Sequence, residues 1–426
     1  MDESLEKLES WQSIAAYLAV SIRTAQKWER ERALPVTRAP GAKGKVTAVR
    51  AELDRWRATA LNQPNWWDRP RFLRIYLAVT MSLVVLLLGL VGVRWFKNGR
   101  KGPPARVIQE FDSIRVTDER GHQLWRVQFD EPIQFEEDLR RMPLDRRATF
   151  ADLDGDGHLE TYYVYAPASP VEKGSTLICY SDRGRENWRF TPGRKVSTAS
   201  TDFEMPYSTT SLEVLPAARR EDARILVVSH HLTDFPTQVA LLDPQGRLRG
   251  EYWHSGLLST AEAVDLNGDG IADVLLGGVS RAHQQATLVV LDSLHVGGAS
   301  VESGTPEFQI SGFGPGQEKL RVLFPRSCIN RMLEDHNVVE EIMLRPDSIQ
   351  VLVRERIAED VVRANPGLIY TLDRNFHFLT VAPTDVFTSL HSQIEAQGRL
   401  DHTLTDKEMR DLLPQIRVLT PWKGGK

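Results

Sequence analysis

The sequence predicts a mainly β chain with a small helical head and one apolar helix, and three observations carry that prediction. From about residue 105 short hydrophobic strands alternate with polar turns, and no sustained helical period appears until late in the chain. A strand, a polar hairpin ending in glycine and an aromatic-bearing strand recur in IRVTDERGHQLWRVQF (114–129), LICYSDRGRENWRF (177–190) and VALLDPQGRLRGEYW (239–253), with Gly121, Gly184 and Gly246 spaced by 63 and 62 residues. Finally, residues 75–93, IYLAVTMSLVVLLLGLVGV, carry no charge.

The chain has 426 residues, a hydrophobic fraction of 41% and a formal net charge of -4, enough for two or three domains with a sizeable core. The overall charge argues against a globally basic polymer binder, but residues 20–57 hold ten Lys/Arg against four acids. In that head, SWQSIAAYLAVS (10–21) places Trp11, Ile14, Ala15 and Leu18 on one helical face behind Ser10 as N-cap. A second helix follows Ser21, with Ile22, Ala25 and Trp28 inward and Arg23, Thr24, Gln26, Lys27 and Arg30 outward. VTRAPGAKGKVTAVR then reads as a basic wing bearing Arg38, Lys43 and Lys45, and a third helix is expected from Val46 to Leu61. Residues 10–60 resemble the winged helix-turn-helix of MerR-like and excisionase-like DNA-binding domains. The resemblance implies double-stranded DNA as partner, with Arg23, Thr24, Gln26, Lys27 and Arg30 at the groove and Arg38, Lys43 and Lys45 at phosphates.

The uncharged run 75–93 is long enough, at 1.5 Å per residue, for a transmembrane helix, with Trp66, Trp67, Phe72, Tyr76, Trp95 and Phe96 flanking it. Basic residues on the two sides are tied, so orientation rests on the head: DNA binding would make it cytoplasmic. The expected divisions are 1–62 for the head, 63–74 juxtamembrane, 75–93 for the span in the lipid bilayer, 94–107 as linker, 108–382 for the β domain and 383–426 as a short helical extension. The bacterial inner membrane, with the carboxy-terminal domain periplasmic or extracellular, is the expected location. Cys179 and Cys328 both follow the span, and their separation leaves pairing and two free thiols equally open.

Strand-hairpin-strand units cannot bury both faces alone, and radial stacking solves that problem. Residues 105–380 would accommodate a β-propeller of about six or seven blades at roughly 40–45 residues each, with a two-sheet sandwich or a solenoid as the other arrangement. Two loops within it, DLDGDGHLE (152–160) and DLNGDGIAD (265–273), set Asp152, Asp154 and Asp156, and Asp265, Asn267 and Asp269, at alternate positions around glycines. The carbonyls of His158 and Ile271 and the carboxylates of Glu160 and Asp273 complete two oxygen sets that suit calcium better than zinc. An EF-hand is excluded, because Tyr163 and Leu276 stand where its bidentate Glu belongs. Both loops resemble the calcium-binding element of FG-GAP or VCBS-type propeller blades, which implies two structural Ca²⁺ sites.

His230 and His231 are adjacent on an expected strand and so face opposite ways, and no G-x-S-x-G, H-E-x-x-H or phosphate-binding motif occurs. No catalytic residue is assigned and no enzyme is expected. The expected function is a membrane-anchored transcriptional regulator with an exoplasmic, calcium-stabilised sensing propeller. A homodimer would match paired half-sites on DNA. The alternative is an adhesion or scaffold protein whose propeller binds an unknown exoplasmic protein or glycan.

Overall fold

The computed structural model describes residues 6–38, 45–60, 70–99, 101–134, 142–143, 146–168, 173–215, 217, 220–233, 235–302, 305–332, 336–356 and 366–423, with side chains of 70–99 described for 75–90. It divides into two units, Met1–Arg100 and Lys101–Lys426.

In the first unit, α1 (Trp11–Tyr17) starts at Ser10, whose side chain accepts from the Ser13 amide while Ser13 reciprocates. Ser21 caps α2 (Ile22–Arg32) by accepting from the Thr24 amide, and Ala33, at φ 46°, ends that helix in the left-handed region. The Trp56 indole N–H of α3 (Arg50–Ala60) donates to the Arg32 carbonyl at 2.7 Å, and its ring lies 5.5 Å from that of Trp28. Together Ile14, Ala15, Leu18, Ala25 and Leu53 form the unit's core.

Two expectations about this unit are corrected. Val46–Val49, placed inside a helix by the sequence reading, is the central strand of a three-stranded sheet between Lys7–Leu8 and Thr37–Arg38. The β-branched Val46, Thr47 and Val49 and their alternating burial favour that outcome. The head is therefore a mixed sheet-and-helix unit, and helices are scattered through the chain rather than gathered into one amino-terminal helix-turn-helix. The second correction concerns the membrane. The helix α4 runs Pro70–Gly99, yet among the described residues no helix is long and apolar enough to cross a membrane. The single-pass topology, and the inner-membrane and periplasmic placement built on it, are thereby overturned.

The second unit is a succession of antiparallel sheets. The first contains Arg106–Gln109, Ser113–Thr117 and Gln123–Gln128; the second Ala148–Ala151, Glu160–Tyr165, Thr176–Tyr180 and Glu186–Phe190. Tyr207–Leu215, Arg224–His231, Thr237–Leu242 and Leu248–His254 form the third, which Gly297–Ala299 extends in parallel. The fourth comprises Gly256–Val264, Asp273–Ser280, Gln285–Asp292 and Glu318–Leu323, with Arg417–Thr420 returning to its edge. Asn337–Leu344, Ile349–Glu355, Gly367–Leu372 and Phe378–Pro383 make the fifth.

Each sheet packs on the next through an apolar layer: Ile114, Val116 and Trp125 with Tyr163 and Ile178; Val164 and Leu177 with Ile225 and Val227; Leu226 and Val239 with Leu276 and Val289; Leu288 and Val290 with Val351 and Val353. Full burial of such a side chain contributes roughly 1.5–3 kcal/mol. The last layer also takes in Ile329 of α5 (Cys328–Met332), Phe387, Leu390 and Ile394 of α6 (Asp385–Ala396), and Met409 and Leu412 of α7 (Asp406–Leu412). Among the described residues no apolar cluster joins the fifth sheet to the first. A closed propeller of six or seven blades is thus replaced by a stack of five main sheets, with helices packed in the layer at the carboxy-terminal end.

The repeated hairpins have a shared physical basis. Asp118 accepts from the amides of Arg120 and His122, Ser181 from Arg183 and Arg185, Asp243 from Gln245 and Arg247, and Asp373 from Asn375 and His377. Gly184 and Gly246 have φ of 76°, and a Cβ there would lie 2.6 Å from the Trp125 ring and 2.5 Å from the Trp188 ring. Glycine therefore serves both the left-handed turn and the seat for the preceding repeat's tryptophan.

Candidate functional site: two carboxylate loops and a mixed side-chain cluster

Both acidic loops occupy equivalent places, each joining the first two strands of its sheet, the second and the fourth. In the loop after Ala151, glycines at φ 67° (Gly155) and 87° (Gly157) let the chain fold back on its acids. Asp152 accepts from the Gly157 amide at 3.0 Å, Asp154 from Asp156 at 3.0 Å and Asp156 from His158 at 2.7 Å. Glu160 is the first residue of its strand and only 5% exposed, and it accepts from the Leu153 amide at 3.2 Å and the Tyr162 hydroxyl at 3.4 Å.

Oxygens of Asp152, Asp154, Asp156 and Glu160 all lie within 4.8 Å of one another. Burial, reinforced by the charges of Asp154, Asp156 and Asp152, pushes the Glu160 carboxyl up to about 7. Such a concentration of oxygen donors is capable of coordinating a cation. The His158 imidazole stands apart, 3.4 Å from Asp182. Beside the loop opens a cleft of about 360 Å³ lined also by Ser181, Asp182, Arg183, Arg185 and Asn187.

The second loop spends its acids differently. Asp265 accepts from the amides of Gly268 (2.7 Å) and Gly270 (2.9 Å), and Asp269 from that of Ile271 (2.8 Å). The Asn267 amide donates to Asp269 at 2.8 Å. Buried Asp273 receives the Lys319 ammonium at 2.5 Å, and Lys319 also approaches Asp292 at 3.5 Å. Among the described residues these side chains do not gather as a metal-ligating group. Of the two expected cation sites, the structure assembles the side chains of one.

A different cluster, not foreseen from the sequence, brings together Cys328, His391, His402 and Glu408, again with ligand atoms within 4.8 Å. Among the described residues the protein thus carries two side-chain clusters capable of coordinating a metal ion. Four residues spread over three helices and a loop leave no local motif; the only visible signal was a cysteine and two histidines late in the chain. Both cysteines are free, which settles their pairing.

The residues assigned to DNA lie elsewhere and are largely engaged. Thr24 shares a 2.7 Å hydrogen bond with the Ser21 cap, and the Arg30 guanidinium donates to the Gln26 carbonyl at 3.5 Å. Lys27 pairs with Glu31 at 3.8 Å, Arg38 forks onto Glu29 at 2.9 Å, and Lys45 pairs with Glu9. Arg23 is exposed on α2, and Lys43 lies outside the described residues. Local acids thereby pair with Lys27, Arg38 and Lys45, and the DNA-binding regulator that rested on this basic face is not retained. His230 is buried with its ring 2.7 Å from the His231 carbonyl oxygen, and His231 lies 2.7 Å from the Thr233 hydroxyl.

No family model matches the chain, and no curated protein matches it. Solved structures resemble it distantly. One is BBS1N in complex with ARL6DN, soaked with mercury, at 9% identity and TM-score 0.34, covering 67% of this chain and 69% of that one. The Dos1 propeller aligns at 10% identity and TM-score 0.33, covering 66% and 67%. The lead-soaked form of the BBS1N complex aligns at 10% and 0.28, covering 67% and 83%. These distant matches are to propeller folds, and the expected composite of a MerR-like head, a transmembrane helix and an FG-GAP or VCBS-type propeller is not retained.

Proposed function

We propose that the chain is a non-catalytic interaction scaffold whose second sheet is braced by one calcium ion, and whose neighbouring cleft takes a protein or glycan partner bearing a carboxylate. The observation that carries this reading is the convergence of Asp152, Asp154, Asp156 and Glu160 without a cationic partner for Glu160 among the described residues. Hard oxygen donors, with no sulfur or imidazole in the set, select a hard cation. Asp154, Asp156 and Glu160 also line the cleft, where Arg183 and Arg185 add positive charge. A partner carboxylate would complete the ion's shell and meet those guanidiniums.

Calorimetric titration of the full chain with Ca²⁺ tests the first half, and capture of acidic glycans or peptides with and without Ca²⁺ tests the second. Saturable Ca²⁺ binding at one site, weakened in Asp154→Asn, is expected. Binding of unchanged affinity in Asp154→Asn, or acidic-ligand capture indifferent to Ca²⁺, sinks the proposal.

A further inference from the structure

The cluster at the carboxy-terminal end of the stack has the composition of a transition-metal site. Cys328 opens α5, His391 lies on the inner face of α6, His402 sits in the connection to α7, and Glu408 lies in the first turn of α7. His391 is 0% exposed, and neither of its ring nitrogens has a hydrogen-bond partner. An imidazole buried in that condition forfeits its hydrogen bonds to water without replacing them. Its ring centroid is 5.3 Å from that of His402.

Two further details aim the neighbours at the same point. His402 holds Asp401 at 3.0 Å through Nδ1, which leaves Nε2 facing Glu408 at 3.4 Å. A carboxylate on the far nitrogen of a metal-bound imidazole fixes its tautomer and orientation. Thr405 caps α7 by accepting from the Glu408 amide. The Glu408 carboxylate, which the T-x-x-E spacing would send back to the cap, instead joins the cluster and faces His402 and Cys328.

We propose that Cys328, His391, His402 and Glu408 bind one zinc ion that fastens α6 and α7 to α5. A tetrahedral ion with bonds of about 2.0–2.3 Å spaces its ligand atoms by roughly 3.3–3.8 Å, so ligands already within 4.8 Å need only small side-chain shifts. Sulfur and imidazole favour zinc over the hard cation suited to the acidic loop. Binding releases the Cys328 thiol proton to solvent; thiolate and carboxylate then balance the two charges of Zn²⁺, which leaves a neutral centre in a partly buried site. Four protein ligands close the coordination sphere, the arrangement of a structural rather than a hydrolytic zinc. This inference is independent of the calcium reading.

The test uses the full chain purified without chelator. Elemental analysis should find about one zinc per chain, and Cys328→Ser and His391→Gln should each weaken zinc binding by more than the ~10–100-fold expected for Asp401→Asn, which perturbs only the outer carboxylate. Since the ligand variants could fail to fold, Co²⁺ substitution supplies a second measurement. With two cysteines in the chain, a thiolate-to-cobalt charge-transfer band that persists in Cys179→Ser assigns the sulfur ligand to Cys328. Absence of that band in the wild-type protein overturns the site. So does zinc binding that is unaltered by both Cys328→Ser and His391→Gln.

Discussion

The loops 152–160 and 265–273 share a spacing, a glycine pattern and a place in their sheets, yet they differ in how their last acid is satisfied. Glu160 enters the interior with no cation beside it among the described residues, whereas Asp273 enters opposite Lys319. In the first loop no described residue supplies a positive charge; in the second a strand of the same sheet does. The pair shows that an acid-and-glycine loop is not itself a metal site. A lysine distant in sequence can fill the electrostatic role of the ion.

The sharpest way to break this contrast is to remove the internal cation. Lys319→Met leaves Asp273 buried and unpaired, which should cost about 3–5 kcal/mol in denaturant unfolding; part of that loss should be recovered by Ca²⁺, converting the second loop into a binding loop. If Ca²⁺ restores nothing, the two loops differ in more than their closing charge. Next in size, Asp154→Asn should weaken Ca²⁺ binding by about 2–3 kcal/mol in calorimetry, roughly 30–150-fold.

A smaller effect concerns pH. Glu160 has its carboxyl raised to about 7 by burial and the three neighbouring aspartates, against an ordinary value of 4.5. For an acid raised on folding, the native state holds the proton more tightly. The associated stability is fully present below pH ~4.5 and is lost as pH rises through about 7. Without calcium, thermal stability should therefore decline from pH 5 to 8 by about 1–2 kcal/mol, and Glu160→Gln should flatten the decline. Calcium should reverse the trend in the wild-type protein, since the ion binds the ionised carboxylate. Smallest of all, Asp269→Asn should leave Ca²⁺ stoichiometry unchanged and shift stability by no more than about 0.5 kcal/mol; a lost Ca²⁺ equivalent would restore the second loop as a site.

What could be read from the sequence was whatever the chemistry keeps local. Ser10 and Ser21 preceded apolar helical stripes and cap helices; Gly121, Gly184 and Gly246 followed polar turns and adopt left-handed backbone. The alternate acids of 152–160 were visible because their ligand geometry is set by neighbours in the chain. The partners that change the meaning of such patterns were distant. Lys319 lies 46 residues beyond Asp273, and the acids that offset Arg38 and Lys45, Glu29 and Glu9, are neighbours only once the head folds. Val46–Val49 had the periodicity of neither element over so short a run, and pairing with two strands decided it. Sheet number and closure depend on how the ends of the stack are covered, which hairpin motifs do not encode.

The seating of Gly184 under Trp125, and of Gly246 under Trp188, gives the stack a direction in time. A tryptophan made early stays without its cover until the following hairpin has left the ribosome, so the growing chain passes through states that each expose one specific indole. Synthesis paused before residue 184 should leave Trp125 open to quenchers, and synthesis paused beyond the next strand should shield it; equal quenching at both lengths would mean that the sheets dock later and together. On the sequential outcome the molecule is built like a course of roof tiles, each laid over the edge of the one before, with the last row held down by the carboxy-terminal helices.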